Sequence, residues 1–112
     1  MVVCVPIGVD GSIDPRWGRA DRVAITEVTV RGVTSWQEFD VGWSTLHDVG
    51  GEGAHHARVV RFLVDHRVEA VVADHIGPGM LHTLERMGLA THLGAGGDAR
   101  EAVVAAIGDE SS

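Results

Sequence analysis

Lysine is missing from this chain: all nine basic residues are arginine, against sixteen acidic ones, for a formal net charge of −7. We read the missing lysine as coding bias toward GC-rich codons. The acidic balance argues against sequence-independent nucleic-acid binding, which rests on neutralising phosphates with a basic face. It also argues against an anionic membrane surface. Cysteine is nearly missing too. Cys4 stands alone, so there is no intrachain disulfide and no CxxC metal knuckle. It lies inside an apolar run and reads as a small core residue rather than a thiolate ligand. No stretch approaches the roughly 18 apolar residues of a membrane helix. The first residues lack a charged region followed by an apolar one of signal-peptide length. A cytoplasmic location is the expectation. No internal repeat, linker or low-complexity block is visible.

What remains is an ordinary globular composition, 45% hydrophobic and 22% charged over 112 residues. That length buries a core without disulfides or a structural metal. One domain is expected over residues 1–108, with a short acidic tail at 109–112. Met1 to Gly8 is a Val-rich strand followed by Asp10-Gly11-Ser12 turn chemistry. Residues 22–31 and 33–43 read as two further strands, joined by a hairpin turn at Arg31-Gly32. At Gly50 the pattern changes. Val59, Val60, Phe62 and Leu63 fall at helical spacing within residues 52–67. Residues 69–74 read as a strand apolar on both faces, as a central parallel strand is. Pro78 and Gly88 bracket a second helix, and residues 89–93 form a last strand. Asp98 and Glu101 have capping-box spacing for a third helix, which Gly108 is expected to end. The order βββαβαβα makes an α/β fold, a mixed five-stranded sheet with helices on its faces, and it is the element order of a ribonuclease-H-like fold.

In such a sheet three loops should meet at one edge: residues 10–19, the Gly50-Gly51 helix entry, and the Asp74-His75-Ile76-Gly77-Pro78 turn. Ligands of open α/β sheets bind beyond the carboxyl ends of parallel strands. Two helix N-termini there offer unpaired N–H groups and the positive end of the helix dipole, a setting that favours anions. Arg16 and Arg19 would add charge. His47, His55, His56 and His75 all fall near the same mouth, and neutral imidazole ligates transition metals. Solvated polar residues are the plainer reading of the same four. His55 and His56 would point about 100° apart on a helix, so one of them is expected to face the mouth. His66, His82 and His92 read as surface or helix-end residues. Trp17 either caps the core or lines the pocket, whereas Trp36 and Trp43 read as sheet packing. Asp10, Glu52 and Asp74 could in principle gather Mg²⁺ for a nuclease, but each also has a bland role and no basic stripe accompanies them. No paired acid and base, and no Ser/His/Asp or Cys/His arrangement, stands out, so binding is favoured over catalysis.

An ordered set of landmarks carries a resemblance: Val3 to Asp10 (VCVPIGVD), Trp17 to Ala20 (WGRA), Gly50-Gly51, Asp74 to Pro78 (DHIGP) and Leu93-Gly94. Together they resemble the dinitrogenase iron–molybdenum cofactor biosynthesis family (the NifX/NafY-like domain), over about residues 1–107. The resemblance implies a ribonuclease-H-like fold without nuclease activity. It implies a protein that carries an iron–molybdenum or other metal–sulfur cluster, or a metal ion, with cofactor-assembly proteins as partners and no nucleic acid or membrane. By position, Trp17-Gly18-Arg19 and His75-Ile76-Gly77-Pro78 would border the cluster. Arg16 stands where the family usually has His, and an Arg pairs with anions instead of ligating metals. His55, His56 and His75 are then the better ligand candidates, with Gly50 and Gly51 completing the mouth. A metal-free small-molecule sensor or interaction module of the same fold remains the alternative.

Overall fold

The computed structural model describes residues 1–46 and 48–111, except the side chains of Glu52 and of residues 109–111. Strand β1 (Val2–Ile7) is the middle of the sheet. Its run of apolar residues is explained by burial on both faces: Val3, Val5 and Ile7 point to one, Cys4 to the other. On one side β1 pairs antiparallel with β2 (Arg22–Thr29), which pairs antiparallel with β3 (Gly32–Asp40). On the other side it pairs parallel with β4 (Ala70–Val72), and β4 pairs parallel with β5 (Ala90–His92). The sheet order is β3-β2-β1-β4-β5. This is the expected mixed five-stranded sheet.

A short helix α1 (Trp43–Leu46) precedes α2 (Gly51–Asp65); α3 (Pro78–Arg86) and α4 (Ala99–Ser111) follow. Val59 and Leu63 of α2, with Met80 and Leu84 of α3, pack on the face that carries Cys4, Val23 and Val71. Ala99, Val103 and Ile107 of α4 pack on the opposite face, against Val3, Val5, Ala24 and Val72. One helix layer on each face leaves the loops at the strands' carboxyl ends to shape the sites.

Apart from shifts of a residue or two at element ends and the added α1, three boundaries differ from expectation. The third strand stops at Asp40, and Trp43 opens a helix instead of ending a strand. Here the Asp21 carbonyl accepts both the Val41 and Gly42 N–H groups, and Gly42 takes a positive φ of 63°, which turns the chain inward. Trp43 then packs edge-on to Trp17 at 5.5 Å between ring centroids. The hairpin turn sits at residues 30–31, one residue earlier than read, and Gly32 (φ 104°) is the first residue of β3. Gly108 does not end α4, which continues to Ser111. Gly88, by contrast, takes the left-handed φ of 81° just past α3, as its place in the sequence suggests. The capping box is formed on one side: Asp98 Oδ2 accepts the Glu101 N–H at 3.0 Å at the start of α4.

Candidate functional site

The three loops do converge. Gly18 and Arg19 of a single 3₁₀ turn (Trp17–Arg19), Asp48 and Gly51 at the entry to α2, His55 and His56 in its first turns, and Gly77 before α3 line one cavity of about 470 Å³. The backbone explains why. Gly50 and Gly51 both adopt left-handed φ values, 81° and 87°, to bring the chain into α2. A Cβ on Gly50 would also meet the Ala54 Cβ at 3.0 Å, so this entry requires glycine twice over. The residues that lead into α2 and α3, Gly50 and Gly77, have no side chain to cap the helices themselves, and Pro78 fits the first turn of α3, where its missing N–H costs nothing.

His55 is buried, 6% exposed, and both its ring nitrogens are committed. Its Nε2 lies 2.7 Å from the Gly18 carbonyl, and its Nδ1 lies 2.9 Å from an Arg58 terminal nitrogen. A carbonyl only accepts and a guanidinium only donates, so the ring is the Nε2–H tautomer with its Nδ1 lone pair filled. The same Arg58 nitrogen donates to the Leu46 carbonyl at 2.9 Å, and its twin reaches the Val49 carbonyl at 3.4 Å. His55 is therefore a strut joining the 3₁₀ turn to the loop between α1 and α2. In this arrangement its ring nitrogens serve the frame of the cavity, and both adjacent histidines line the mouth where only one was expected to. Arg58 went unnoticed in the sequence, although its i+3 spacing from His55 on a helix was the available signal.

The other expected residues divide. Arg19 is exposed on the cavity wall. Arg16 turns to Asp14, with Nε 3.3 Å from Oδ1, and lines a different depression; this pairing holds its guanidinium even further above the usual range. It adds no charge to the mouth. His75 is exposed, joins the Arg16 backbone in an isolated parallel bridge, and is not among the residues lining the cavity. Ile76 is 3% exposed within the core, so only its backbone is near the site. Gly50 is set back as the residue before α2, while Gly51 and Gly77 face open space where a Cβ would stand. Trp17 is core, 2% exposed, and its indole N–H finds no acceptor among the described residues. His47 lies outside the described residues.

Among the described residues no three His, Cys, Asp or Glu side chains come together as a metal site. Asp10 is exposed and caps its own turn, accepting the Ser12 N–H at 3.0 Å, which holds its carboxyl below the usual range. Asp74 is exposed as well, and the Glu52 side chain lies outside the described part. Cys4 is fully buried, and burial pushes its thiol far up, in keeping with a core role.

The model of the dinitrogenase iron–molybdenum cofactor family matches residues 1–109. The chain belongs to that family. Solved structures of the same fold include the crystal structure of PH0822, 18% identical, with a TM-score of 0.76 over 97% of this chain and 92% of that one. The apo form of the orange protein from Desulfovibrio gigas is 22% identical, with a TM-score of 0.73 over 91% and 82% of the two chains. A putative NifB protein from Thermotoga (TM1290), described as belonging to the DUF35 family, is 24% identical, with a TM-score of 0.69 over 93% and 84%. No curated protein sequence matches this chain. No helix among the described residues is long and apolar enough to cross a membrane.

Proposed function

We propose that this member of the dinitrogenase iron–molybdenum cofactor family is a non-catalytic carrier for a preformed, anionic metal–sulfur cluster, held in the cavity between Gly18-Arg19, Gly51, His56 and Gly77. The observation that carries the reading is the meeting of two glycine-led helix N-termini at one cavity that also holds Arg19. Unpaired N–H groups and the positive ends of two helices stabilise an anion, and each end contributes about 0.3–1 kcal/mol at an exposed site. Asp48 lies on the same wall, so the attraction rests on the helix ends as much as on Arg19.

The donor set favours a preassembled cluster over a bare ion. A naked transition metal needs three or four ligand side chains, and the described residues do not gather three. An anionic cluster needs N–H donors and few ligands. His56, on the wall and half-buried, is the residue we assign to ligation.

On this reading the sheet order β3-β2-β1-β4-β5, with β2 antiparallel to its neighbours, is a ribonuclease-H-like scaffold used for binding. Residues 1–108 would be the carrier domain, cytoplasmic, passing cargo to and from cofactor-assembly proteins. The test is uptake: under anoxic conditions the protein is mixed with tetrathiomolybdate, freed of unbound metal, and assayed for bound molybdenum. Stoichiometric binding that falls about tenfold in Arg19→Gln/His56→Ala supports the proposal. The same uptake by that variant would remove the site assignment, and no uptake of any metal–sulfur anion would remove the carrier role.

A further inference from the structure

A second cavity, of about 430 Å³, has no part in the cargo site just proposed. Its apolar wall is Phe39, Val41, Trp43, Leu46 and Phe62. The aromatic rings are fixed edge-to-face, Phe39 to Phe62 at 5.7 Å and Trp43 to Phe62 at 5.8 Å between centroids, the geometry aromatic pairs prefer. Phe39, Leu46 and Phe62 are half-buried, so they keep apolar surface open toward the cavity. A volume in the range of small-molecule sites, with aromatic walls and a few polar groups, has the usual make-up of a ligand pocket.

The polar groups set the ligand's charge. Arg58 and Arg61 both line this cavity, with Asp40 and Asp65. Asp40 is already engaged by Arg22, whose Nε lies 3.0 Å from its carboxylate. Arg61 is exposed and makes no ion pair or hydrogen bond among the described residues. Arg58 is locked by the Leu46 carbonyl and His55 through one terminal nitrogen, while its Nε has no partner among the described residues. Arg22 is shared between Asp40 and Glu38, so the carboxylates around the cavity balance the guanidiniums in number. What the cavity offers an anion is donors: Arg61 outside any ion pair among the described residues, and Arg58 fixed in place before any ligand arrives, which lowers the ordering cost of binding.

We propose that this cavity is a second ligand site for an apolar monoanion of the arylalkyl carboxylate class. The aromatic part rests on Phe39, Trp43 and Phe62, and the carboxylate meets Arg61 and the Nε edge of Arg58. Asp65, on the same wall, disfavours a second negative charge, which suits the site to monoanions. The probe is 3-phenylpropionate, with neutral 3-phenylpropionamide as its control, titrated into the ¹⁵N-labelled full chain. Saturable shifts are expected at the Phe39 and Phe62 amides and the Trp43 indole, with the carboxylate binding about tenfold tighter than the amide. Arg61→Gln, an exposed substitution that leaves the fold intact, should erase that preference without weakening the amide. Absence of saturable shifts at these residues, equal affinity for the two probes, or an unchanged preference in Arg61→Gln would each overturn the assignment. Because neither probe contains metal or sulfide, failure here leaves the carrier reading standing, and failure of metal uptake leaves this site standing.

Discussion

The face of the sheet under α4 is filled by Val3, Val5, Ala24, Val72, Val103 and Ile107, whereas the face under α2 and α3 mixes aliphatics with Trp17, Trp43, the His55–Arg58 strut and both described cavities. The first face closes mainly by apolar burial, with Arg100 lying over the Trp36 ring at 4.4 Å near its rim. The second face is closed by directional contacts, and these leave spaces. A depression of about 450 Å³ lined by Val33, Arg100, Glu101, Val104 and Ala105 lies beside α4 too, but it is the α2 and α3 face that carries both proposed ligand sites. The difference arises where glycines and a buried hydrogen-bonded histidine replace plain packing.

That contrast can be broken by substitution. Leu63, 1% exposed beneath α2, should lose about 2–5 kcal/mol of stability as Leu63→Ala, read as a lower urea midpoint. His55→Ala comes next. It orphans the Gly18 carbonyl and one Arg58 donor, and should cost about 2–3 kcal/mol while also weakening metal–sulfur uptake, because the 3₁₀ turn loses its tether. On the other face Val103→Ala should cost about 1–3 kcal/mol and leave uptake per folded molecule unchanged. If Val103→Ala reduced uptake as much as His55→Ala, the two faces would not be functionally distinct.

His56→Ala sharpens the same comparison within one helix turn. It should cost less stability than His55→Ala and still reduce uptake, the reverse of a structural role. The smallest effect concerns Cys4. Its folded thiol is raised by burial, so the unfolded chain ionises first as pH rises. The stability it lends is complete below the ordinary thiol range and declines as pH climbs through and above it. A thiol reagent at pH 8 should label Cys4 only on unfolding.

The sheet was legible because its signals are local: the Val run of β1, the alternation of β2, Pro78 and Gly88 around α3, and the Asp98 cap. Trp43 was misplaced because its neighbours Phe39 and Val41 continue a strand pattern, and the carbonyl that turns the chain belongs to Asp21, distant in sequence. The site was legible as three converging loops, since Gly50-Gly51 and Gly77-Pro78 mark helix entries wherever they fall. The roles of individual side chains were not. His55 and His56 look alike in a sequence, and only the Gly18 carbonyl and Arg58 make one a strut and leave the other on the wall. Arg16 looked like an anion contact until Asp14, two residues away, claimed it.

The most direct test of the central claim is where a metal–sulfur anion lands. Tetrathiomolybdate is diamagnetic and can be titrated anoxically into ¹⁵N-labelled protein while the amide shifts are followed. The carrier reading predicts saturable changes at Gly18, Arg19, Gly51, His56 and Gly77, with Val103 and Ala99 unmoved. Changes centred elsewhere, or none at saturating anion, would contradict it.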